Sequence, residues 1–281
     1  MCPSCGPRGG VAVAKGADYA VWRESMNDPH VNSLTYEVKA GTGAVFHATS
    51  PIKRATPDFD LVVKDGKAIF SFKEHFASEG AARQVAEAFI QAWQLWDGLE
   101  RSPGELCFIF QGADVVDLAP EVSVPRPAIV EASATSMAVS WTTAVPTVSR
   151  DYPPPPYGFI ASEDVMVLYF QYEALLAGRM PLGTVAYFAH SLLEDRGGGR
   201  RGASKMHEIH LDVLRKIGEL TSTKGGKEAR KAEGRRQSFS EPEKRWLTAV
   251  IRALIKRVGE VDAGSKTITQ ITMSSLPPID P

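Results

Sequence analysis

Residues 59–72, FDLVVKDGKAIFSF, determine how the N-terminal half of this chain folds. Two runs, 59–63 and 68–72, are rich in the β-branched and aromatic residues that strands favour. The Asp65-Gly66 pair lies between them, and an Asp-Gly pair between two such runs is typical of a tight hairpin turn. The stretch therefore predicts a β-hairpin.

Further elements are predicted on both sides of this hairpin. Upstream lie a short helix over 17–27 and a strand over 34–40. Downstream, Ser78 is a plausible N-cap for a helix of about twenty residues, followed by a buried strand over 105–111 that holds Cys107. The apolar stripe of that helix has helical spacing and is expected to pack on the sheet: Ala82, Val85, Phe89, Trp93 and Trp96. Together these elements predict an α/β domain over 15–118, preceded by a flexible stretch over 1–14.

The C-terminal half has a different pattern. Residues 119–157 combine two β-branched segments, 122–131 and 135–145, which predict a β-hairpin, with four consecutive prolines, which predict a stiff linker. Residues 158–261 have the apolar period of helices, and Ser240 with Glu243 has the form of a capping box.

Four helices with short connections predict a bundle. The third of them is expected to run without a break from about residue 203 to residue 220. The tail, 262–281, is either an added edge strand or disordered. The predicted fold class is α+β, an α/β domain with a central sheet and flanking helices followed by a four-helix bundle.

Composition excludes several classes of protein. The 281 residues are 43% hydrophobic, 9% aromatic and 23% charged, which excludes collagen-like, wholly disordered and coiled-coil chains. Three cysteines, an odd and low number, argue against a secreted disulfide framework. Cys2 and Cys5 have the spacing of half a zinc knuckle, but the sequence has no second pair to complete it. With no signal peptide and no apolar run of bilayer length, we expect a cytoplasmic protein without a membrane partner.

The predicted hairpin carries one candidate active site. Asp58 and Asp60 lie at the start of its first strand, and Lys73 follows its second strand. This arrangement resembles the core of PD-(D/E)xK nucleases, which have the restriction-endonuclease-like fold. The resemblance implies that Asp58 or Asp60 binds Mg²⁺ and that Lys73 polarises the attacking water. Hard carboxylate ligands suit Mg²⁺, which activates water and neutralises the phosphate.

The match to that family departs at one position. Two residues before Lys73, where the family has an acidic side chain, this chain has Ser71. Glu74 follows the lysine and would point to the opposite face of a strand. Glu37, on the preceding strand, is the remaining candidate for a migrated carboxylate.

A second candidate lies in the helical half. Arg201 and His207 fit the R-x4–6-H pattern and are similar in this respect to HEPN domains, many of which are metal-independent ribonucleases. The resemblance implies that Arg201 holds the scissile phosphate while His207 acts as acid or base. The sequence contains a second such pair, Arg23 and His30, so the pattern alone discriminates little.

Charge is the third functional signal. The whole chain has 32 Lys+Arg and 33 Asp+Glu, but residues 196–257 hold 17 and 7, which is a net charge of +10, and the rest hold 15 and 26, a net charge of −11. The basic residues concentrate in two predicted loops. The first loop contains Arg196, Arg200, Arg201 and Lys205, and the second contains Lys224, Lys227, Arg230, Lys231, Arg235 and Arg236.

These observations rank the functions. The first expectation is a binding or regulatory protein whose basic helical domain contacts an anionic partner, nucleic acid or an acidic protein. The alternatives are a degenerate Mg²⁺-dependent nuclease, a HEPN-like ribonuclease, and a non-enzymatic protein whose two halves neutralise each other. The sequence identifies no cofactor outside the nuclease alternative, and it leaves open whether the chain forms a homo-oligomer.

Overall fold

The turn at Asp65-Gly66 has the geometry that the sequence predicts. In a computed structural model of the chain, these residues have φ values of 50° and 76°, and the flanking strands pair antiparallel with Lys64 opposite Lys67. A two-residue turn with positive φ at both positions matches the twist of the strands that it joins. The hairpin prediction is confirmed.

The structure describes residues 28–41, 44–46, 51–119, 148–226 and 237–279. Several predictions lie outside these residues. They are the helix over 17–27, the Cys2 and Cys5 pair, the segments 122–131 and 135–145, and five of the six basic residues of the second loop.

The strands form one sheet of five and one pair. They are β1 (Pro29–Ala40), β2 (Ala44–Phe46), β3 (Ile52–Ala55), β4 (Phe59–Lys64), β5 (Lys67–Phe72), β6 (Leu106–Asp117) and β7 (Val148–Arg150). The sheet has the order β3-β4-β5-β1-β6, with every neighbour antiparallel, while β2 and β7 pair parallel. The five-stranded sheet is therefore wholly antiparallel.

The hairpin has one buried face and one exposed face because side chains alternate along a strand. The buried residues of β4 and β5 are Phe59, Leu61, Val63, Ala68, Phe70 and Phe72. Asp60 and Ser71 lie opposite each other in the register and are exposed. The outer face of this hairpin thus carries the polar residues of the first candidate site.

Six α-helices lie in the described residues. They are α1 (Glu79–Glu100), α2 (Glu163–Leu176), α3 (Leu182–Arg196), α4 (Arg200–Met206), α5 (Leu211–Thr223) and α6 (Glu241–Asp262). With the sheet they give a mixed α+β composition. None of them combines the length and apolarity that a bilayer-spanning helix requires.

The chain divides into two compact units. One contains residues 1–87 and 104–154, and the other contains residues 88–103 and 155–281. The boundary falls inside α1, so this division differs from the ranges expected from sequence by assigning 88–103 to the helical unit.

The second half of α1 packs differently from the prediction. Within the first unit, Arg83 lies 4.4 Å from the centre of the Phe110 ring of β6. In the helical unit, Leu95 and Leu99 belong to the core, and Trp96 contacts Phe159 with ring centres 5.3 Å apart. The expectation that the whole stripe packs on the sheet is therefore wrong for Trp96, its last residue.

The expected third helix is two helices. The chain leaves α4 after Met206, Glu208 has a φ of 46°, and α5 begins at Leu211. Ile209, in the gap, forms an isolated parallel bridge with Ile271 of the tail. The helical unit therefore contains five whole helices and the end of α1, and its tail, predicted as a strand or disorder, contributes one bridge and a short 3-10 turn at Met273–Ser275.

Candidate functional site

The structure brings together two of the nuclease-type residues. Lys73 Nζ lies 2.9 Å from Asp60 Oδ1 and donates a hydrogen bond to Thr56 O at 2.7 Å. Asp58 contributes its backbone carbonyl, which accepts a hydrogen bond from Lys73 N at 2.9 Å. Asp60 and Lys73 thus form an exposed ion pair on the outer face of the hairpin.

Glu37, the candidate for a migrated carboxylate, is not brought to this pair. Ser71 lies opposite Asp60, and Glu37 lies opposite Lys67 in the register of β1 with β5. Four residues of strand separate Lys67 from Ser71, which is about 13 Å. Among the described residues, no three His, Cys, Asp or Glu side chains converge as a metal site would require.

The two HEPN-type residues, Arg201 and His207, lie in different environments. Arg201 is exposed on α4, whereas His207 is fully buried at the end of that helix. Among the described residues, neither ring nitrogen of His207 has a hydrogen-bond partner. Burial, together with the charge of Arg196, lowers the pKa of His207 to about 4. The acid or base role of His207 that the HEPN resemblance implies stays a prediction. The burial of the ring does not support it.

Several residues of the basic loops are paired within the helical unit. Arg196 forms ion pairs with Asp164 and Asp262. Lys224 Nζ lies 2.6 Å from Glu243 Oε1, and this glutamate is largely buried. Their charge is therefore matched locally, by acids of the same unit.

The remaining basic residues divide into two groups. Arg201 and Lys205 are exposed on α4, and within the described part of the chain no ion pair to either is found. The second group, Lys227, Arg230, Lys231, Arg235 and Arg236, lies outside the described residues.

A cleft of about 780 Å³ opens between α3 and α5. Its volume lies within the range of small-molecule sites. The charged residues that line it are Glu194, Arg200, Arg215 and Glu219, joined by His190, Tyr187, Gly218, Thr221 and Ser222. We define this set as the α3–α5 cleft.

Three polar side chains that line the cleft, His190, Glu194 and Arg200, contact one another in sequence. His190 and Glu194 are one turn apart on α3, with Nε2 3.3 Å from Oε1, as helical spacing requires. The same Glu194 oxygen lies 2.8 Å from Arg200 Nε. His190 is buried, and its burial lowers the ring pKa, while the charge of Glu194 acts in the opposite direction. The ring is therefore expected to be neutral at pH 7.

Glycines allow α4 to fold back onto α3. A Cβ at Gly197 would lie 2.1 Å from Ala203 N, and one at Gly202 would lie 1.8 Å from Gly197 O. Only glycines allow this close approach of two backbones, which brings Arg200 back to Glu194. The three consecutive glycines end α3 as the sequence predicts, and Gly197, the first of them, positions the site together with Gly202.

Sequence reasoning identified Arg200 but missed His190, Glu194 and Arg215. The signal was present as His and Glu at positions i and i+4 of a helix, a spacing that places both side chains on one face.

Comparisons of the chain with protein-family models, with curated proteins and with solved structures found no match.

Proposed function

We propose that the helical unit is a binding module for a phosphate-bearing ligand, held in the α3–α5 cleft by Arg200 and Arg215. The observation that carries the proposal is that guanidinium groups from two different helices, α4 and α5, line one cleft. Planar guanidinium groups match the geometry of phosphate oxygens better than an ammonium group does.

Both arginines retain hydrogen-bond donors for such a ligand. Arg200 engages Glu194 through Nε, and Arg215 engages Asp212 through Nη1 at 3.1 Å. Each guanidinium has five N–H donors. Their side chains are 41% and 64% exposed, so a ligand can reach them from solvent.

The adjoining surface supports a nucleic acid as the larger form of this ligand. Arg201 and Lys205 follow Arg200 on α4 and are exposed. A strand with one phosphate in the cleft would meet this further positive charge at its next phosphates. We therefore expect short single-stranded RNA or DNA to bind, with an affinity that falls as salt rises.

The test measures fluorescence anisotropy of a labelled oligonucleotide across a salt series. The R200Q and R215Q variants are expected to lose at least about tenfold in affinity each, because a hydrogen bond to a charged group is worth about 1.5–3 kcal/mol. Arg179, exposed in the turn between α2 and α3, provides the matched control R179Q. Equal binding by all four proteins, or no binding at low salt, would refute the proposal.

A second function is supported by the Asp60–Lys73 pair. Mg²⁺ is commonly held by one or two carboxylates together with substrate phosphates, so a single aspartate beside a lysine is compatible with a degenerate Mg²⁺-dependent nuclease of restriction-endonuclease-like type. We expect cleavage of the same oligonucleotide only with Mg²⁺ and only while both residues are intact. Cleavage that persists in D60N and K73M would exclude this site as its origin.

A further inference from the structure

One carboxylate oxygen in the α3–α5 cleft is shared by an arginine and a histidine. Glu194 Oε1 lies 2.8 Å from Arg200 Nε and 3.3 Å from His190 Nε2. An arginine keeps its charge at every pH at which proteins are folded, whereas a histidine gains or loses its charge near neutrality. The strength of the Glu194–Arg200 pair therefore depends on whether the ring of His190 is protonated.

The surroundings of His190 suit both protonation states of its ring. The side chain is 3% exposed, and burial lowers its pKa, as does the charge of Arg200. The charge of Glu194 and a hydrogen bond with the Leu214 backbone act in the opposite direction. The other titratable or charged side chains that line the cleft are Tyr187 of α3 and Arg215 and Glu219 of α5. Because a protonated imidazole has an N–H on both nitrogens, its Nε2 would donate to the Glu194 oxygen that it already faces.

Proton uptake by His190 changes the charge that a phosphate meets in the cleft. While the ring is neutral, the negative charge of Glu194 cancels the positive charge of Arg200. A protonated ring adds one positive charge to this pair and takes part of the carboxylate's hydrogen bonding. An oxygen that is shared between two charged donors holds Arg200 less tightly, so the guanidinium turns to a phosphate more readily.

We propose that proton uptake by His190 strengthens the binding of the phosphate-bearing ligand to Arg200, so that the α3–α5 cleft holds its ligand more tightly as the pH falls. This inference rests on the function proposed above and adds the regulation of that site. Glu194 links the two groups, because its carboxylate competes with the ligand for Arg200 while the ring is neutral. Since such coupling is reciprocal, a bound ligand raises the pKa of His190.

The experiment measures fluorescence anisotropy of a labelled thymidine oligonucleotide with the full chain at pH 7.5 and pH 5.5, at one ionic strength. Neither the phosphodiester nor the thymine titrates between these values, so a change in affinity reports on the protein. Burial lowers the pKa of His190 from its ordinary 6.5, which places the change at the acidic end of this range. We expect the wild type to bind at least about fivefold more tightly at pH 5.5.

Two variants remove the two groups that produce this gain. E194Q lacks the competing charge, so at pH 7.5 it should bind at least as tightly as the wild type does at pH 5.5. H190N lacks the titrating ring and should bind equally at both pH values. Two control variants should keep the full gain. E219Q removes a carboxylate that lines the cleft but pairs with Lys216, and H210N removes a half-exposed histidine that caps α5.

Histidine NMR provides a readout that a loss of folding would not mimic. The Cε1–H signal of His190, assigned by its absence in H190N, follows the protonation of the ring with and without the oligonucleotide. We expect the bound oligonucleotide to raise the pKa of His190. In the free chain, E194Q should lower it, because the Glu194 carboxylate favours the charged ring.

The outcomes separate this inference from the proposed function. If the wild type binds equally at the two pH values, the regulation is refuted and the phosphate site stands. A gain that persists in H190N would assign the pH dependence to other groups, and an E194Q variant that binds more weakly than the wild type at pH 7.5 would show that the carboxylate does not compete. Either result overturns the inference. If the oligonucleotide binds at neither pH, the proposed function fails together with it.

Discussion

Replacing His207 with leucine should make the protein less sensitive to acid. This histidine is fully buried, and neither ring nitrogen has a hydrogen-bond partner in the part of the chain that the structure describes. Burial and the nearby guanidinium groups of Arg196 and Arg257 keep the ring neutral, although Asp262 partly opposes them. In the unfolded chain the same ring is hydrated and takes up a proton readily.

The size of the effect follows from the two proton affinities of His207. Its pKa is about 4 in the folded protein against an ordinary 6.5. The unfolded state therefore binds more protons between these values, and the free energy of unfolding falls as pH decreases through that window. The loss reaches about 2 kcal/mol at pH 5 and about 3 kcal/mol below the folded pKa.

The H207L variant lacks this loss. Leucine fills a similar volume without polar atoms, so at pH 7 we expect the unfolding free energy to change by less than about 1.5 kcal/mol. Urea unfolding followed by tryptophan fluorescence at pH 7, 6 and 5 measures the difference between wild type and variant. H210N, which replaces a half-exposed histidine that caps α5 with another capping residue, serves as the control.

A difference between wild type and H207L that stays constant over this pH range would refute the reasoning. It would mean that His207 takes up its proton equally well in the folded and unfolded states. A difference that grows equally in H210N would assign the acid sensitivity to the exposed ring instead.

Three further predictions concern packing and capping. G98A should lower stability by about 1–3 kcal/mol in thermal unfolding, relative to G80A, because its Cβ would lie 1.9 Å from Tyr169 Oη. S240A should cost about 1 kcal/mol and S240D much less, since the Ser240 side chain caps α6 within a capping box; equal losses in urea unfolding would contradict this. R257M should cost about 3 kcal/mol or more in the same assay, because Arg257 donates to the backbone carbonyls of three residues that would be left without it.

The hairpin and the helix starts could be predicted because their signals are local. Asp65-Gly66 sets the turn by its own backbone preference, and Ser78 and Ser240 cap the helices that follow them through contacts three residues away. None of these features depends on distant parts of the chain. The period of apolar residues and the chemistry of a few polar positions are sufficient for them.

The break between α4 and α5 could not be predicted, since distant contacts impose it. The apolar period continues through the gap, which is why the pattern favours one uninterrupted helix. The chain leaves the helix because Ile209 pairs with Ile271 and because the Arg257 guanidinium binds the carbonyls of His207 and Glu208. These partners lie about fifty or more positions away, and nothing in the local pattern encodes them.

The candidate site was found only in part for a similar reason. Arg200 was identified by counting charges, but a single histidine on an apolar helix is usually a core residue. His190 becomes a site residue through the return of α4 onto α3, which two glycines permit, and through the opening beside Gly218. Side-chain chemistry was readable from the sequence, whereas its convergence required the fold.

The ion pairs within the helical unit change what its net charge implies for binding. A net charge of +10 over residues 196–257 suggests a broad electrostatic surface, for which the affinity for nucleic acid would fall steeply with salt. Yet Arg196, Arg200 and Lys224 are each held by a carboxylate of the same unit. A cation already paired with a carboxylate neutralises a phosphate less completely, so that fewer of the counterions condensed on the nucleic acid are released. For the ligand proposed above, we therefore expect binding to depend more on the guanidinium donors of Arg200 and Arg215 in the α3–α5 cleft than on the sum of charges.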